Sequence, residues 1–490
     1  MSDIETNQGD QEQRKLDRRG FLKAGVAAGA GLAALSSPLG ARGAALASYS
    51  ERLARQPLDA ATPVNLRFMI RAGTGYHNFF YKAGETFMKQ YPNVTIKYEV
   101  QDSNYKTKLK VEIAGGVPPD LVFASDDDMF SFAARNTLVD MAPFFKTAGL
   151  KRADFFPAAM DPQWLGQHLF AMPLDYGLHV LTYNKELFDR QHQSYPTDKW
   201  TWADFIRVGQ NLTLDRSGKR ANEAGFQPQH VVQYASDGPG FYWFTNILRS
   251  NGGDWASADL TKATLDSPAA ISTFQLLADL GNKYYTNATS KFVTSVATSL
   301  SQGTTAMSFD GTWSFSSYPT VPRLKWNRGN IDVTLWPRGS TGKNAVGAEA
   351  SGLVIPVGAK TENVKWAWEF IKWMSTEPGQ RVAFTYGVAS IPNMPKVARE
   401  LIGKQQQPRN AKILLDALPQ AKLPYWCEAI SDSELETALT SPYSGAPALY
   451  DLERGRKTAA QVMPTVNRAV QAILDRDQVL ARKFGAKLSI

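Results

Sequence analysis

Asp126, Asp127 and Asp128 stand just beyond the apolar run Leu121-Val122-Phe123-Ala124, and carboxylates at a strand end can do two kinds of chemistry. They can accept paired hydrogen bonds from vicinal hydroxyls. Two that converge about 5–9.5 Å apart can instead cleave a glycosidic bond. Asp126 and Asp127 are the candidate contacts; a solvated loop or a helix N-cap is the alternative role for at least one of the three. Trp313 follows Gly311-Thr312, where the glycine permits a tight turn and the indole offers a flat apolar face suited to the C–H face of a sugar ring. Tyr76 and His77 follow the Gly73-Thr74-Gly75 turn and are candidate loop contacts. Other chemistries lack their residues. The single cysteine, Cys427, excludes an intramolecular disulfide. The five histidines (77, 168, 179, 192 and 230) include no close pair with metal-ligand spacing, and no G-x-G-x-x-G, phosphate-loop or haem motif is present. The adjacent Tyr284-Tyr285 could bind ferric ion only with carboxylate or histidine partners, and its neighbours are Lys283, Thr286 and Asn287. No cofactor and no metal is therefore expected.

These residues need elements to hold them. Val64-Asn65-Leu66-Arg67-Phe68-Met69-Ile70 alternates apolar and polar and predicts a strand. A helical run with Phe79, Phe80, Ala83, Phe87 and Met88 follows and stops at Pro92. Val94 to Val100 alternates again, a helix is predicted over 104–114, and Pro118-Pro119-Asp120 leads into the strand 121–124. Strand, helix, strand, helix, strand with short connections predicts a parallel sheet covered by helices on both faces. Strands are predicted at 331–336 and 350–355, and an amphipathic helix over 361–377 with Thr361 as N-cap. On that helix Trp366 and Trp373 read as packing residues. Helices are predicted over 395–404, 408–417, 431–440 and 458–485.

The N-terminus carries Arg18-Arg19-Gly20-Phe21-Leu22-Lys23, an Ala/Gly-rich stretch from Ala24 to Leu39, and Ala45-Leu46-Ala47. This order resembles a twin-arginine (Tat) signal peptide with a signal-peptidase site, although Asp17 stands where Ser or Thr is commoner. The stretch is too short and too weakly apolar for a membrane span of about 20 residues. Export by the Tat translocase, in the folded state, to the periplasm is expected, with cleavage near Ala47 and a mature chain beginning near Ser48. No later segment reads as a span. The 43% hydrophobic and 11% aromatic content suits a globular chain of two or three domains. The signal holds six basic and five acidic residues, so the whole-chain charge of +8 becomes +7 after cleavage. No block of like charge appears, so nucleic acid is not an expected partner.

From about residue 64 onward, five runs together resemble the family 1 extracellular solute-binding proteins, the sugar-binding periplasmic receptors of ABC importers. They are Ala114-Gly115-Gly116-Val117-Pro118-Pro119-Asp120-Leu121; Pro173-Leu174-Asp175-Tyr176-Gly177 running on to Tyr183-Asn184-Lys185-Glu186-Leu187-Phe188; Trp200-Thr201-Trp202-Ala203-Asp204-Phe205; Gly303-Thr304-Thr305-Ala306-Met307 to Gly311-Thr312-Trp313; and Gly352-Leu353-Val354-Ile355 with the Trp366–Met374 helix. One departure is Ala124-Ser125-Asp126-Asp127, where many sugar-binding relatives place an aromatic. The resemblance implies an α/β, two-lobed periplasmic-binding-protein fold (class II-like), each lobe a mostly parallel sheet flanked by helices and joined by hinge crossings. The boundaries it implies are signal 1–47, linker 48–62, an N-terminal lobe of 63–174 plus 345–395, and a C-terminal lobe of 175–344 plus 396–490. It implies a monomer that captures a carbohydrate between its lobes, performs no catalysis, and delivers the ligand to the membrane permease subunits of an importer. An exported glycoside-active enzyme is the alternative, as is a receptor for a sugar acid or glycerol phosphate with Arg71 or Arg249 as counter-ion. A sensory receptor signalling to a chemotaxis or kinase partner would use the same lobe closure. Of the site residues, Asp127 matches the family's cleft acid, and Gly311 and Trp313 its G-x-W. Asp175 and Tyr176 fall on the crossing segment, and Tyr242, Trp243 and Trp426 resemble aromatic walls of the cleft.

Overall fold

The computed structural model describes residues 48–71, 76–101, 105–124, 129–241, 243–288, 299–386, 391–404, 407–425, 428, 430, 432–439 and 447–483. The proposed signal, 1–47, lies outside the described residues. Residues 48–54 form a helix, α1, and so correct the reading of 48–62 as linker. Leu53 is 1% exposed in the first core, with Tyr49 and Ala54 packed beside it. A single apolar anchor is enough to seat a short helix on a core built by other residues, and that leaves almost no periodic signal.

The predicted alternation then appears as β1 (Val64–Arg71), α2 (Tyr76–Gln90), β2 (Val94–Gln101), α3 (Tyr105–Ala114) and β3 (Leu121–Ala124). Further on come β4 (Met172–Pro173), β5 (Gly177–Asn184), α4 (Trp202–Leu212), β6 (Leu214–Asp215), β7 (Val231–Ser236), α5 (Phe244–Ser250) and α6 (Pro268–Asn282). They are followed by β8 (Thr305–Gly311), β9 (Ile331–Thr334), β10 (Ala348–Glu349), β11 (Gly352–Val354), α7 (Thr361–Ser375), α8 (Glu377–Thr385), α9 (Pro395–Gly403) and α10 (Ala459–Lys483). Two shorter helices, Lys412–Ala417 and Asp432–Leu439, fall within the predicted 408–417 and 431–440.

Two sheets result. The first has the order β2-β1-β3-β11-β4, and the second β9-β5-β8-β7-β6 with β10 also on β5. Among the named strands of the described residues, parallel pairing is confined to β1–β2, β1–β3 and β7–β8. Strands that enter from the other sheet run against their neighbours: β11 against β3, and β5 against β8, β9 and β10. Each sheet carries a core on both faces. Phe68, Phe80, Phe123, Leu353 and Phe370 belong to one core of the first sheet, and Met69, Val122 and Val354 to the other. Leu181, Met307 and Phe309 lie on one face of the second sheet, and Leu178, Val180 and Val333 on the other. Trp366 and Trp373 are buried in the first core. Thr361 is the first helical residue of α7 rather than its cap: Lys360 holds the N-cap position and makes no side-chain cap bond.

Several of the family-like runs serve the scaffold. Thr201 Oγ1 accepts from the Asp204 N–H at 3.2 Å while the Asp204 carboxylate accepts from the Thr201 N–H at 3.1 Å, a capping box that starts α4. Asn184 caps the short helix Lys185–Arg190, and Lys185 pairs with Asp332 at 2.9 Å. Asp120 is 5% exposed and accepts from the Arg67 N–H at 2.7 Å and the Asn363 amide at 2.9 Å, which ties β1 to α7.

The chain passes between the sheets at 173–177 and again after Glu349. Ala348 and Glu349 still pair with Leu178 and Gly177 in the second sheet, so the return falls later than the expected 345. A third segment beside them begins at Ile391, which exchanges both backbone hydrogen bonds with Tyr176, at 3.1 and 2.6 Å. Buried amides stitch these segments together. Gln380 donates to Leu174 O at 2.7 Å and accepts from the Asn393 N–H at 2.8 Å, and the Asn393 side chain donates to Pro173 O.

Candidate ligand site at the crossing

The strand directions of the second sheet bring several chain ends to the edge where the crossings occur. Gly311, the last residue of β8, lies opposite His179 near the start of β5. Thr334, ending β9, lies opposite Leu181, and Glu349 opposite Gly177. Residues immediately beyond these ends therefore gather at one place, as expected where strand termini and a domain interface coincide.

Four aromatic rings meet there. Trp313 is the second residue of the 3-10 turn after β8 and is half-buried, as is Trp243 just before α5. Their centroids are 6.4 Å apart. Behind them, fully buried His179 lies 5.1 Å from Trp243, 5.7 Å edge-on from Trp313 and 5.7 Å in stacked geometry from buried Trp336. Trp313 rests directly on backbone. A Cβ on Gly311 would sit 2.0 Å from its Cη2, and a Cβ on Gly177 would sit 2.7 Å from its Cε3. Gly311 is thus required by the ring it seats, a stronger reason than turn geometry alone.

One carboxylate joins the rings. Glu349 Oε1 accepts from His179 Nε2 at 2.9 Å and from the Trp243 indole N–H at 3.3 Å. The Asn246 amide, on α5, lies 2.5 Å from His179 Nδ1, and the His179 backbone N–H donates to Gly347 O at 2.9 Å. With Nε2 donating to the carboxylate and Nδ1 accepting from Asn246, the imidazole fixes the orientation of Glu349. The Glu349 side chain keeps 22% of its surface exposed while that of His179 has none. The cluster thus places a partly exposed carboxylate at the indole N–H edge of Trp243, with Trp313 packed edge-on to the same His179.

Asp237 holds the approach to Trp243. Its carboxylate accepts from the Phe309 N–H at 2.9 Å and from the Ser308 hydroxyl, pinning the turn after β7 to β8. Desolvation, with a smaller push from Asp310, raises its pKa to about 7.

Of the sequence-predicted contacts, the structure brings Trp243, Gly311 and Trp313 together. Asp175 and Tyr176 sit in the hinge instead. Asp175 is 6% exposed and accepts from the Ser351 N–H at 3.0 Å. Tyr176 is 1% exposed and stacks on Phe156 at 5.4 Å. Both bind crossing segments to each other, and burial leaves neither ring nor carboxylate at the aromatic wall. Tyr76 and His77 are the first residues of α2. Asp126, Asp127, Tyr242 and Trp426 lie outside the described residues. Arg249, a candidate counter-ion, is committed elsewhere, at 2.9 Å from both Asp254 and Glu428. His179, Asn246, Trp336 and Glu349 were not singled out. The available signal was a lone histidine inside the apolar run Leu178-His179-Val180-Leu181, a place where an imidazole needs a partner. Among the described residues no group of three metal-ligating side chains occurs, and no helix is long and apolar enough to cross a membrane.

The family model for bacterial extracellular solute-binding protein matches residues 71–381. The chain belongs to that family. The maltotriose-binding protein of Pyrococcus abyssi (strain GE5 / Orsay) is 23% identical over 332 residues, 66% of this chain and 64% of that protein. The chain thus spans about 64% of the length of that relative. Among solved structures, the ABC substrate-binding protein Lmo0181 from Listeria monocytogenes in complex with cycloalternan superposes with a TM-score of 0.68 at 18% identity, covering 87% of this chain and 100% of that one. The GacH receptor of Streptomyces glaucescens, solved with acarbose, gives 0.67 at 19% identity, covering 84% and 99%. UgpB from Mycobacterium tuberculosis, in complex with glycerophosphocholine, gives 0.66 at 16%, covering 85% and 99%. Those likenesses establish the two-lobed fold.

Proposed function

We propose that this solute-binding protein captures a neutral carbohydrate, a sugar or oligosaccharide, between its two lobes and hands it to the membrane permease of an ABC importer without chemically changing it. The observation that carries the reading is the half-buried Trp243–Trp313 pair with Glu349 between strand ends and crossing segments. Indole faces suit the C–H faces of pyranose rings, and a fixed carboxylate accepts hydroxyl hydrogen bonds with charge assistance. A ligand touching both lobes favours their closed arrangement by the contacts made only there, which gives a membrane partner a state to recognise. The maltotriose, cycloalternan and acarbose named for the relatives support a sugar ligand. Glycerophosphocholine, named for another, makes a phosphodiester the control. The twin-arginine pair and Ala45-Leu46-Ala47 support Tat export to the periplasm in the folded state, with cleavage near Ala47.

The test is a thermal-shift screen of the chain from Ser48 onward against sugars, oligosaccharides, polyols and glycerophosphodiesters. A ligand at 100 times its Kd stabilises by about 2.7 kcal/mol. A shift with neutral saccharides, and unchanged saccharide by mass spectrometry after long incubation, supports the proposal. Hydrolysis products would establish the glycosidase alternative.

A further inference from the structure

The chain segments that carry the two tryptophans of the site are each fastened at the root by an aspartate. Asp237 opens the turn that leads from β7 to Trp243, and its carboxylate reaches across to β8, where it accepts from the Phe309 N–H at 2.9 Å and from the Ser308 hydroxyl. Asp310 is the next residue of β8 and leads through Gly311 to Trp313. Its carboxylate accepts from the Gly311 N–H at 2.7 Å and from the Tyr318 hydroxyl. Both aspartates keep part of their surface exposed, so water can supply or take a proton. Desolvation favours the neutral form of Asp237 most and Asp310 adds to it, against the Ser308 hydroxyl and the Phe309 N–H, with the balance at about 7. Tyr318, the other titratable group facing the pair, is held well above its ordinary range by burial, Asp310 and Asp237, so it stays protonated. Thr182 on β5, beside Tyr318, and Asn287, beside Gly238, are neutral. Among the described residues, the groups that act most on Asp237 include no lysine or arginine.

As an acid, Asp237 keeps both of its contacts: one oxygen accepts from the Phe309 N–H and the other, now a hydroxyl, donates to Ser308. As an anion it keeps two donors but stands beside a second carboxylate and partly out of water, and moving the turn away from the end of β8 relieves both costs. We propose that Asp237 and Asp310 are a positioning pair for the ligand site: with a proton on Asp237 they hold the turn before Trp243 against the end of β8 that seats Trp313, and without it their repulsion spreads the two segments, so that ligand capture weakens as pH rises. The effect on capture deepens the carbohydrate reading above and rests on it. The spreading of the segments does not depend on what binds. Both residues act through the segments they fasten, with no contact to the ligand required of either.

Fluorine NMR of the purified protein labelled with 5-fluorotryptophan tests the movement without a ligand, the two resonances being assigned from Trp243→Phe and Trp313→Phe. Both are expected to shift together as pH is raised, with a common midpoint at about 7. Asp237→Asn should abolish the shift and leave both at their low-pH positions. Asp310→Asn should lower the midpoint, because it removes the like charge, whereas Ser308→Ala should raise it, because it removes a donor to the anion. A merely structural Asp237 would give variants that melt lower while the wild-type resonances stay flat with pH. Flat wild-type resonances, or a midpoint that survives Asp237→Asn, overturn the proposal. Should Asp237→Asn fail to fold, the other two variants decide: midpoints that move in the same direction, or not at all, overturn it. Calorimetric titration with maltotriose at pH 6 and 8 supplies the ligand arm. With a midpoint near 7, about one molecule in ten keeps the proton at pH 8, so affinity should fall by up to about tenfold. Asp237→Asn should remove that fall. Maltotriose binding that is independent of pH in the wild type overturns the proposal and leaves the carbohydrate function standing. Absence of binding counts against the carbohydrate reading, and the fluorine titration then decides the proposal alone.

Discussion

Replacing Trp313 by alanine separates a cleft wall from a core residue. The indole is half-buried and lies on the backbone of Gly311 and Gly177, edge-on to His179 at 5.7 Å. Loss of its stacking face should cost a bound sugar about 1–3 kcal/mol. At about 1.4 kcal/mol per decade that is roughly a five- to 150-fold loss in affinity. The unliganded fold should lose less than the about 3–5 kcal/mol of a fully buried tryptophan, because part of the ring already faces solvent. Gly311→Ala supplies the complementary perturbation. Its new Cβ would stand 2.0 Å from the Trp313 ring, so the ring must tilt while all its atoms remain. Affinity should fall in both variants, while apo stability falls only modestly in either. Calorimetric titration and scanning calorimetry on the same preparations give the two quantities. A large drop in apo melting temperature with unchanged affinity per folded molecule would refute the reasoning and return Trp313 to the core.

Three further outcomes are expected. Arg18→Lys combined with Arg19→Lys should leave a folded precursor inside the cell, because lysine lacks the planar fork of a guanidinium; cell fractionation and N-terminal sequencing check this, and unchanged processing near Ser48 would point to another export route. Asp237, raised to about 7 in the fold, holds its proton between about pH 4 and 7 when the unfolded chain has released it. Stability should therefore fall as pH rises through that window, by no more than about 4 kcal/mol; Asp237→Asn should flatten the fall in urea titrations at pH 5 and 8, and an unaltered slope would assign it to other groups. Thr201→Ala removes one half of the capping box of α4 and should destabilise by about 1 kcal/mol without altering ligand affinity; a change in affinity would place this run at the site after all.

The alternating stretches and periodic helices were legible where one face stays outside the core. β1 shows this directly, with Val64, Leu66 and Phe68 inward and Asn65 outward. Helix α1 and the missing cap at Thr361 were not, since each depends on what the rest of the fold places beside a few residues. The runs around Thr201, Asn184 and Asp120 carry caps and clamps, a scaffold role by which they can mark a fold. In the site, Trp313 and Trp243 could be singled out because a large ring after a glycine turn has a recognisable chemistry. His179 and Glu349 could not be paired from the chain, being 170 residues apart and joined only where β5 starts and β10 ends. Asp175 and Tyr176 lie on the segment expected to cross between lobes, but crossing segments must also be fastened to one another, and these two do that.

The most direct measurement is a crystal structure of the chain from Ser48 onward with the tightest-binding neutral saccharide. The account predicts a sugar ring against Trp313 and Trp243, with a hydroxyl donating to Glu349. A saccharide bound away from all three would contradict it.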